Sequence, residues 1–240
     1  TGAVGSTVVF SNNGGFLSQP VSLSLSGNLS GQSIRYTTDA SVPTTADQLY
    51  TTPIQLSDNA VIRARIFQAN HIPSPTFTKS YLFDDIPELD TVFLTTDPEN
   101  LFDEDTGIYV YGPEGTYDTW VPFYGANFWE DWERPVHLSF YESGSGELTS
   151  EFNAGLKIFG GWSRGQNPQR SLALFARRQY GDSKFEETYF ENVSYNDFQS
   201  IVLRNSGQDW VRSSIKDITL TSLMRGSGLD FQEHNSVATY

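Results

Sequence analysis

The chain has no cysteine, one methionine and three histidines in 240 residues. The lack of cysteine excludes disulfides and thiolate metal sites. The histidines, His71, His137 and His234, stand far apart and outside any motif. Basic residues are scarce, 15 lysines and arginines against 29 aspartates and glutamates, for a formal net charge of −14. That balance excludes nucleic acid as a partner, because neutralising phosphates needs a basic face, and it opposes an anionic membrane surface. No apolar run approaches the roughly 18 residues of a membrane-spanning helix. Thr1 to Ser6 has neither the charged nor the apolar region of a signal peptide, so a leader is expected to have been removed or never present. Walker-type GxxxxGK[ST], GxGxxG and HExxH sequences are absent, and no pair of the many carboxylates is marked as a glycosidase acid and base. Asn28-Leu-Ser30 and Asn192-Val-Ser194 match the glycosylation triplet, a pattern short enough to arise often by chance, and carry no weight.

What the chain has is aromatic residues, 14% of the total, with abundant serine, threonine, asparagine and glycine. This composition suits an extracellular, β-rich protein. The length allows one large or two small domains, either able to bury a core. Val21, Leu23 and Leu25 alternate with serines, the period of a half-buried strand. Ile34 to Thr38, Val61 to Phe67 and Thr76 to Phe83 are further strands, rich in β-branched and aromatic residues. Turn signals separate them at Gly27-Asn28, Asp39-Ala40-Ser41, Asp58-Asn59 and Ala69-Asn70. Short strands at this spacing predict a β-sandwich over residues 1–84.

Phe10-Ser-Asn-Asn-Gly-Gly-Phe16, Ile34-Arg-Tyr-Thr-Thr-Asp39, Val42-Pro-Thr44, Tyr50, Pro53-Ile54 and Val61-Ile-Arg-Ala64 together resemble the chitobiase/β-hexosaminidase C-terminal-type module. The resemblance covers about residues 8 to 83 and implies an immunoglobulin-like sandwich that serves as an accessory to another domain. Ala40 departs from the family pattern, which tends to have glycine after the aspartate.

Asp84-Asp-Ile-Pro-Glu88 is polar and proline-containing, and residues 85–90 read as an interdomain linker. Beyond it the pattern predicts strands at Thr91 to Thr95, Gly107 to Tyr111, Pro135 to Tyr141 and Ser200 to Arg204, with one helical turn over Asp97-Pro-Glu-Asn-Leu-Phe102. Ser214-Ile-Lys-Asp217 resembles a capping box. Ile215, Ile218, Leu223 and Met224 keep helical spacing and Gly226 supplies a stop, predicting a helix over 213–225. The expectation is a mostly β chain, a sandwich followed by a β-rich α+β domain over 91–240.

Leu156 to Phe159 reads as a strand, Gly160-Gly161 as a tight turn, and Ser171 to Ala176 as a second strand. The turn holds Ser163, Arg164 and Arg170, a hydroxyl and two cations where glycine lets backbone N–H groups approach a phosphate. Two readings stand side by side for the arginines: a phosphate cradle built on charge-assisted hydrogen bonds, and a solvated hairpin pair. Lys157 is a further candidate for the same pocket, or an exposed strand lysine. Gly161, Ser163, Arg164, Arg170 and Ser171, followed by Tyr180-Gly181 and Leu203-Arg-Asn-Ser-Gly-Gln-Asp209, resemble the amino-terminal part of the CotH-type spore-coat kinase domain. Arg170 stands where that family more usually has lysine, and a guanidinium fork is not equivalent to an ammonium. The resemblance implies a kinase-like fold with ATP and Mg²⁺ as cofactors of the full-length protein. The family's metal-binding acids follow an Asn-Gly-x-Tyr-Trp-Gly stretch that does not occur before Tyr240, so 91–240 reads as a truncated kinase-like domain.

Two other features invite a site. Asp103-Glu-Asp-Thr-Gly107 has part of a calcium-loop pattern without the later bidentate glutamate, and an ordinary acidic turn accounts for it. Trp120 to Trp132 concentrates aromatic rings ahead of Glu133-Arg-Pro135. Such rings stack on sugars, with Glu130 or Asp131 to meet hydroxyls, or they plug a core with Phe128, Trp129 and Trp132. The resemblance includes an Asp-Trp-Glu-Arg-Pro element here, which favours the core. Three functions remain open: a fragment of a secreted or surface CotH-like protein, whose kinase activity would belong to the whole; a bacterial cell-surface module binding polysaccharide or protein; and a building block of an extracellular assembly. For these 240 residues the non-catalytic reading is preferred.

Overall fold

The structure is a computed structural model that describes residues 2–190, 193–207 and 209–240; Thr1, Asn192 of the second triplet and Gln208 of the Leu203–Asp209 motif lie outside them. The chain is mostly β and divides into two compact units. The first comprises Thr1–Pro98, Ser139–Glu151 and Ala238–Tyr240, the second Glu99–Leu138 and Phe152–Val237. Asp84 to Glu88 lies inside the first.

The first unit opens with β1 (Val9–Phe10), β2 (Gly15–Phe16), β3 (Val21–Leu23), β4 (Leu25–Ser26) and β5 (Gln32–Thr37), then β6 (Gln48–Leu49), β7 (Ile54–Leu56), β8 (Ala60–Gln68) and β9 (Phe77–Leu82). A five-stranded sheet runs β2-β9-β8-β5-β6, and two ribbons, β1-β4 and β3-β7, complete a sandwich. Alternation along β8 decides which way it faces. Ile62, Ala64 and Ile66 are buried, meeting Leu23, Leu25, Leu56, Ile34 and Tyr81 in one core. Each buried aliphatic side chain of this size contributes about 1.5–3 kcal/mol. The opposite face carries Arg63 and Arg65, whose guanidiniums donate to the carbonyls of Ala40 (2.7 Å) and Ser74 (2.9 Å). The predicted strand over Val21–Leu25 is instead two short ones. Ser24 N–H donates to Ser11 Oγ, and the chain passes there from β7 as partner to β1.

The paired glycines at 14 and 15 are explained by their backbone. Both have positive φ, and a Cβ on Gly14 would lie 2.5 Å from the Ser80 carbonyl oxygen. One on Gly15 would lie 2.8 Å from the Tyr141 ring. That ring belongs to an aromatic group in which Phe93 stands 4.5 Å from Tyr141 and 5.5 Å from Phe16 and Tyr240, centroid to centroid. Also in this unit, β10 (Asp90–Thr95) accepts the far end of the chain as a neighbour: Leu94 N–H donates to Tyr240 and Tyr240 N–H to Val92.

After α1 (Pro98–Phe102), β11 (Arg134–Tyr141) and β12 (Leu148–Phe159) follow, each contributing residues to both units. The second unit adds α2 (Ser163–Gln166), β13 (Ser171–Phe175), β14 (Phe185–Glu186), β15 (Asp197–Phe198), β16 (Ser200–Leu203) and α3 (Lys216–Arg225); β17 spans Val237–Thr239. Its strands run β16-β13-β12-β11, with Gly155 opposite Phe175 and Phe159 opposite Ser171. No helix among the described residues is long and apolar enough to cross a membrane.

Three sequence expectations are corrected. Gly107 to Tyr111 is not a strand, because the N–H groups of Gly107, Ile108 and Tyr109 donate back to Asp103, Asn100 and Leu101. Gly160-Gly161 does not turn directly into the next strand; the helical turn α2 intervenes. The helix starts at Lys216, and Ser214 does not cap it. Ser214 has φ 57° and its hydroxyl donates to the Trp210 carbonyl. Asp209 takes the capping role instead, Oδ2 accepting from the N–H groups of Ile215 (3.2 Å) and Lys216 (3.1 Å) and from Ser213 Oγ (2.5 Å).

Two predictions follow from these backbones. Ala40 has φ 65°, in the left-handed region that costs a Cβ-bearing residue roughly 1–2 kcal/mol. Ala40→Gly should therefore raise stability by about 0.5–1 kcal/mol once the extra entropy of glycine is subtracted, read from denaturant midpoints. A decrease would show that the turn is not under strain.

The Asp209 carboxyl is held below its ordinary value chiefly by the Ser213 hydroxyl, with the α3 N–H groups adding to it. A depressed carboxyl stabilises above its unfolded pKa, and that contribution is lost as pH falls through the folded one. Amide protection over 215–219 should thus weaken selectively below about pH 4 in the wild type and be weak at all pH values in Asp209→Ala. Equal protection in the two proteins at neutral pH would remove Asp209 from the cap.

Candidate functional site

The segment singled out in the sequence, Gly160 to Ser171, leads from the end of β12 into the first residue of β13. Neither arginine is a solvated hairpin residue. Arg164 donates through Nε to the Gly160 carbonyl (2.6 Å) and through Nη1 to that of Phe128 (3.1 Å). Its guanidinium carbon stands 5.2 Å from the centre of the Trp129 ring. Arg170 donates through Nε to the Arg164 carbonyl (2.6 Å) and through Nη1 to that of Tyr109 (3.1 Å). Its guanidinium lies 4.5 Å from the Tyr109 ring centre and 4.3 Å from that of Phe128, which is fully buried. Burial pulls both guanidinium pKa values downward. The groups stay charged even so, because arginine starts far above neutral pH.

Lys157 pairs with Asp131 at 2.5 Å, holding that carboxyl below its ordinary range. Asp131 is almost wholly exposed, so the pair adds little stability. Gly161 is open to solvent with room for a side chain, and Ser163 lies against Gly207, whose added Cβ would sit 2.8 Å from Ser163 Cβ. The structure therefore brings Ser163, Arg164 and Arg170 close to the Asn205-Ser-Gly207 stretch and turns Lys157 toward Asp131.

A buried polar set ties that stretch to the hairpin. Ser171 Oγ donates to Asn205 Oδ1 (2.8 Å) and accepts from Asn205 N–H (3.0 Å). Asn205 Nδ2 donates to the Gln169 carbonyl, and Asn167 Nδ2 to that of Gly207 (3.0 Å). Asn167, Ser171 and Asn205 are all buried, and their mutual bonding removes the cost of desolvating them. Tyr109 was not foreseen: its hydroxyl accepts from Arg170 N–H at 2.9 Å and its ring supports the guanidinium. Taken as part of a strand, it gave no sign of facing an arginine far along the chain. Of the aromatic run, Phe128 plugs the core, while Trp129 and Trp132 are half-buried beneath Arg164 and Arg134.

Sequence reasoning also passed over Gly161-Trp-Ser-Arg-Gly165, which has the Gly-x-Ser-x-Gly form of a serine-hydrolase elbow. That chemistry needs a base within hydrogen-bond reach of the serine. The hydrogen bonds of the histidines lie elsewhere: His71 with the Ala69 carbonyl, His137 with Asn153 and His234 with Ser222. The motif is here a helical turn. No group of three or more His, Asp or Glu residues able to hold a metal occurs among the described residues. In the acidic turn, Asp103 Oδ1 is taken up by the N–H groups of Asp105 and Thr106 and by the Thr106 hydroxyl.

Residues 12–78 match the chitobiase/beta-hexosaminidase C-terminal domain. The matched span covers β2 to the start of β9 and includes the paired glycines, β5 and the Ala40 turn. No curated protein and no solved structure matches the chain.

The inward-turned guanidiniums give a stability prediction. Lysine at 170 keeps the charge but loses the fork that serves two carbonyls and the flat face that lies between two rings. Arg170→Lys should cost about 1–3 kcal/mol in a denaturant titration, whereas the exposed Arg178→Lys should stay within about 0.5 kcal/mol. Equal stability of the Arg170 variant and the wild type would return Arg170 to the surface.

Proposed function

We propose that this chain is a non-catalytic module of a secreted or cell-surface protein, one that binds or builds rather than transfers phosphate. The observation that carries the reading is the commitment of Arg164 and Arg170 to four backbone carbonyl contacts and three rings of their own unit. A phosphate cradle offers its donors outward; here the best-placed N–H groups point into the fold. The match of residues 12–78 to a domain named for the C-terminal part of chitobiase and β-hexosaminidase supports an accessory role beside glycan chemistry.

The CotH-type resemblance, carried by Asp131–Pro135 and by residues 155–209, would imply ATP and Mg²⁺ chemistry only for a full-length protein. Within this chain an anion would be left with Ser163, Gly161, the Nη2 groups of the two arginines, and Lys157 once drawn from Asp131. The net charge of −14 opposes it, so we expect pyrophosphate affinity no better than about millimolar, weakening with salt.

Incubation with ATP and Mg²⁺ or Mn²⁺ should give no phosphoryl transfer. Turnover that follows the purified chain and disappears when one of its own carboxylates is replaced would overturn the proposal.

A further inference from the structure

The loop preceding Phe128 exposes three rings other than those that carry Arg164 and Arg170. Tyr117 is 87% exposed, Trp120 74% and Tyr124 47%. They are not loose. Tyr117 N–H donates to the Tyr124 carbonyl at 2.6 Å, closing the base of the loop, and Phe123 N–H donates to the Trp120 carbonyl at 2.8 Å, closing its tip. The Tyr117 ring lies along the bare backbone of Gly125, where an added Cβ would come within 2.9 Å of it. The base is anchored from below: Trp129 Nε1 donates to the Pro122 carbonyl at 3.0 Å, and the Tyr124 and Trp129 rings stand 4.6 Å apart. Trp129 in turn lies under Arg164. Phe123, at φ 59°, is held in a conformation costly for a bulky residue, its ring against Tyr111 at 5.4 Å. Solvent-facing rings are thus presented on a braced loop, which lowers the entropy lost on binding.

The surroundings select the occupant. Glu99 to Glu133 holds nine carboxylates and no lysine or arginine, so an anionic polymer or lipid is repelled. Residues 111–125 contain no leucine, isoleucine or methionine to widen an apolar patch, and they include Glu114 and Asp118, carboxylates of the kind depleted from the cores of apolar protein interfaces. Thr119, between Tyr117 and Trp120 in sequence, and Glu114 are both exposed residues, a hydroxyl and a carboxylate near the rings along the chain. A sugar ring offers the matching pair of features, an apolar C–H face for an aromatic plane and a rim of hydroxyls for polar groups. We propose that Tyr117, Trp120 and Tyr124 form a stacking platform for a neutral polysaccharide. This rests on reading the chain as a non-catalytic binding module and supplies that module's ligand class and site.

The test is electrophoresis of the full 240-residue chain through native gels containing a neutral polymer such as hydroxyethyl cellulose. The wild type should be retarded, and added salt should leave the retardation unchanged, because a neutral ligand makes no screened charge contact. Trp120→Ala and Tyr117→Ala should each weaken binding by roughly tenfold, as loss of an aromatic anchor does. Phe102→Ala, an exposed ring outside the loop, should bind as the wild type does. Circular dichroism should show all three variants folded.

Absence of retardation in the wild type overturns the proposal, as does equal retardation of the Tyr117→Ala/Trp120→Ala double variant. Retardation by polygalacturonate but not by the neutral polymer overturns it too. So does a shift in tryptophan fluorescence on phosphatidylcholine vesicles with no effect of polysaccharide, which would assign the loop to a membrane. ATP turnover would overturn the non-catalytic reading while leaving a positive gel result standing, so the two failures are separable.

Discussion

A half-buried cation with no carboxylate partner among the described residues organises the second unit. The Arg170 guanidinium fills a slot between the rings of Tyr109 and Phe128, with backbone carbonyls at its edge. An isolated charge in such a place would be prohibitive. Ring quadrupoles and carbonyl dipoles share the work of solvating it, each modest singly and cooperative together. The segment between β12 and β13, the turn after α1 and the short 3-10 turn at Asn127–Trp129 all meet at this group or at its neighbour Arg164. The Asn205–Ser171 bonds then fasten the 203–207 stretch to the same place. A motif with the look of an anion site is, in its main contacts, an internal fastening.

The parts of this fold governed by short-range rules were legible in the sequence. β8 announced itself by its β-branched and aromatic composition, β11 by alternation, and the Gly14-Gly15 pair by its place in a family pattern. The parts decided by distant partners were not. Gly107 to Tyr111 has the composition of a strand, yet its N–H groups are claimed by the preceding helical turn. Ser214 precedes a helical pattern at capping distance, but Asp209 reaches the N–H groups of Ile215 and Lys216 from further back, and the serine hydroxyl turns to the Trp210 carbonyl. The arginines were correctly singled out. Their roles were not decidable, because an arginine facing solvent and one wedged between two rings have the same local sequence.

The two units divide the functional argument. Residues matching the chitobiase/beta-hexosaminidase C-terminal domain build the sandwich of the first, where hydrophobic burial on alternating strand faces dominates. The second unit relies more on aromatic rings and arginines, with polar side chains buried in mutual contact. Rings that lie under a guanidinium are spent on the fold; those beyond it, at residues 117 to 124, face solvent. The same aromatic run thus serves cohesion at one end and display at the other.

The pairing of β10 with Tyr240 has a bearing on how the molecule comes into being. Residues 92 and 94 must wait for a partner made almost a hundred and fifty positions later, and the Phe93 ring waits with them for the Tyr240 ring. On a ribosome the first unit therefore emerges with an open strand edge and an unfinished aromatic group. Closing so long a loop is slow before it is rewarding. Exposed edges of this kind invite pairing between nascent chains, so protection of β10 during synthesis is a matter of timing rather than of sequence alone.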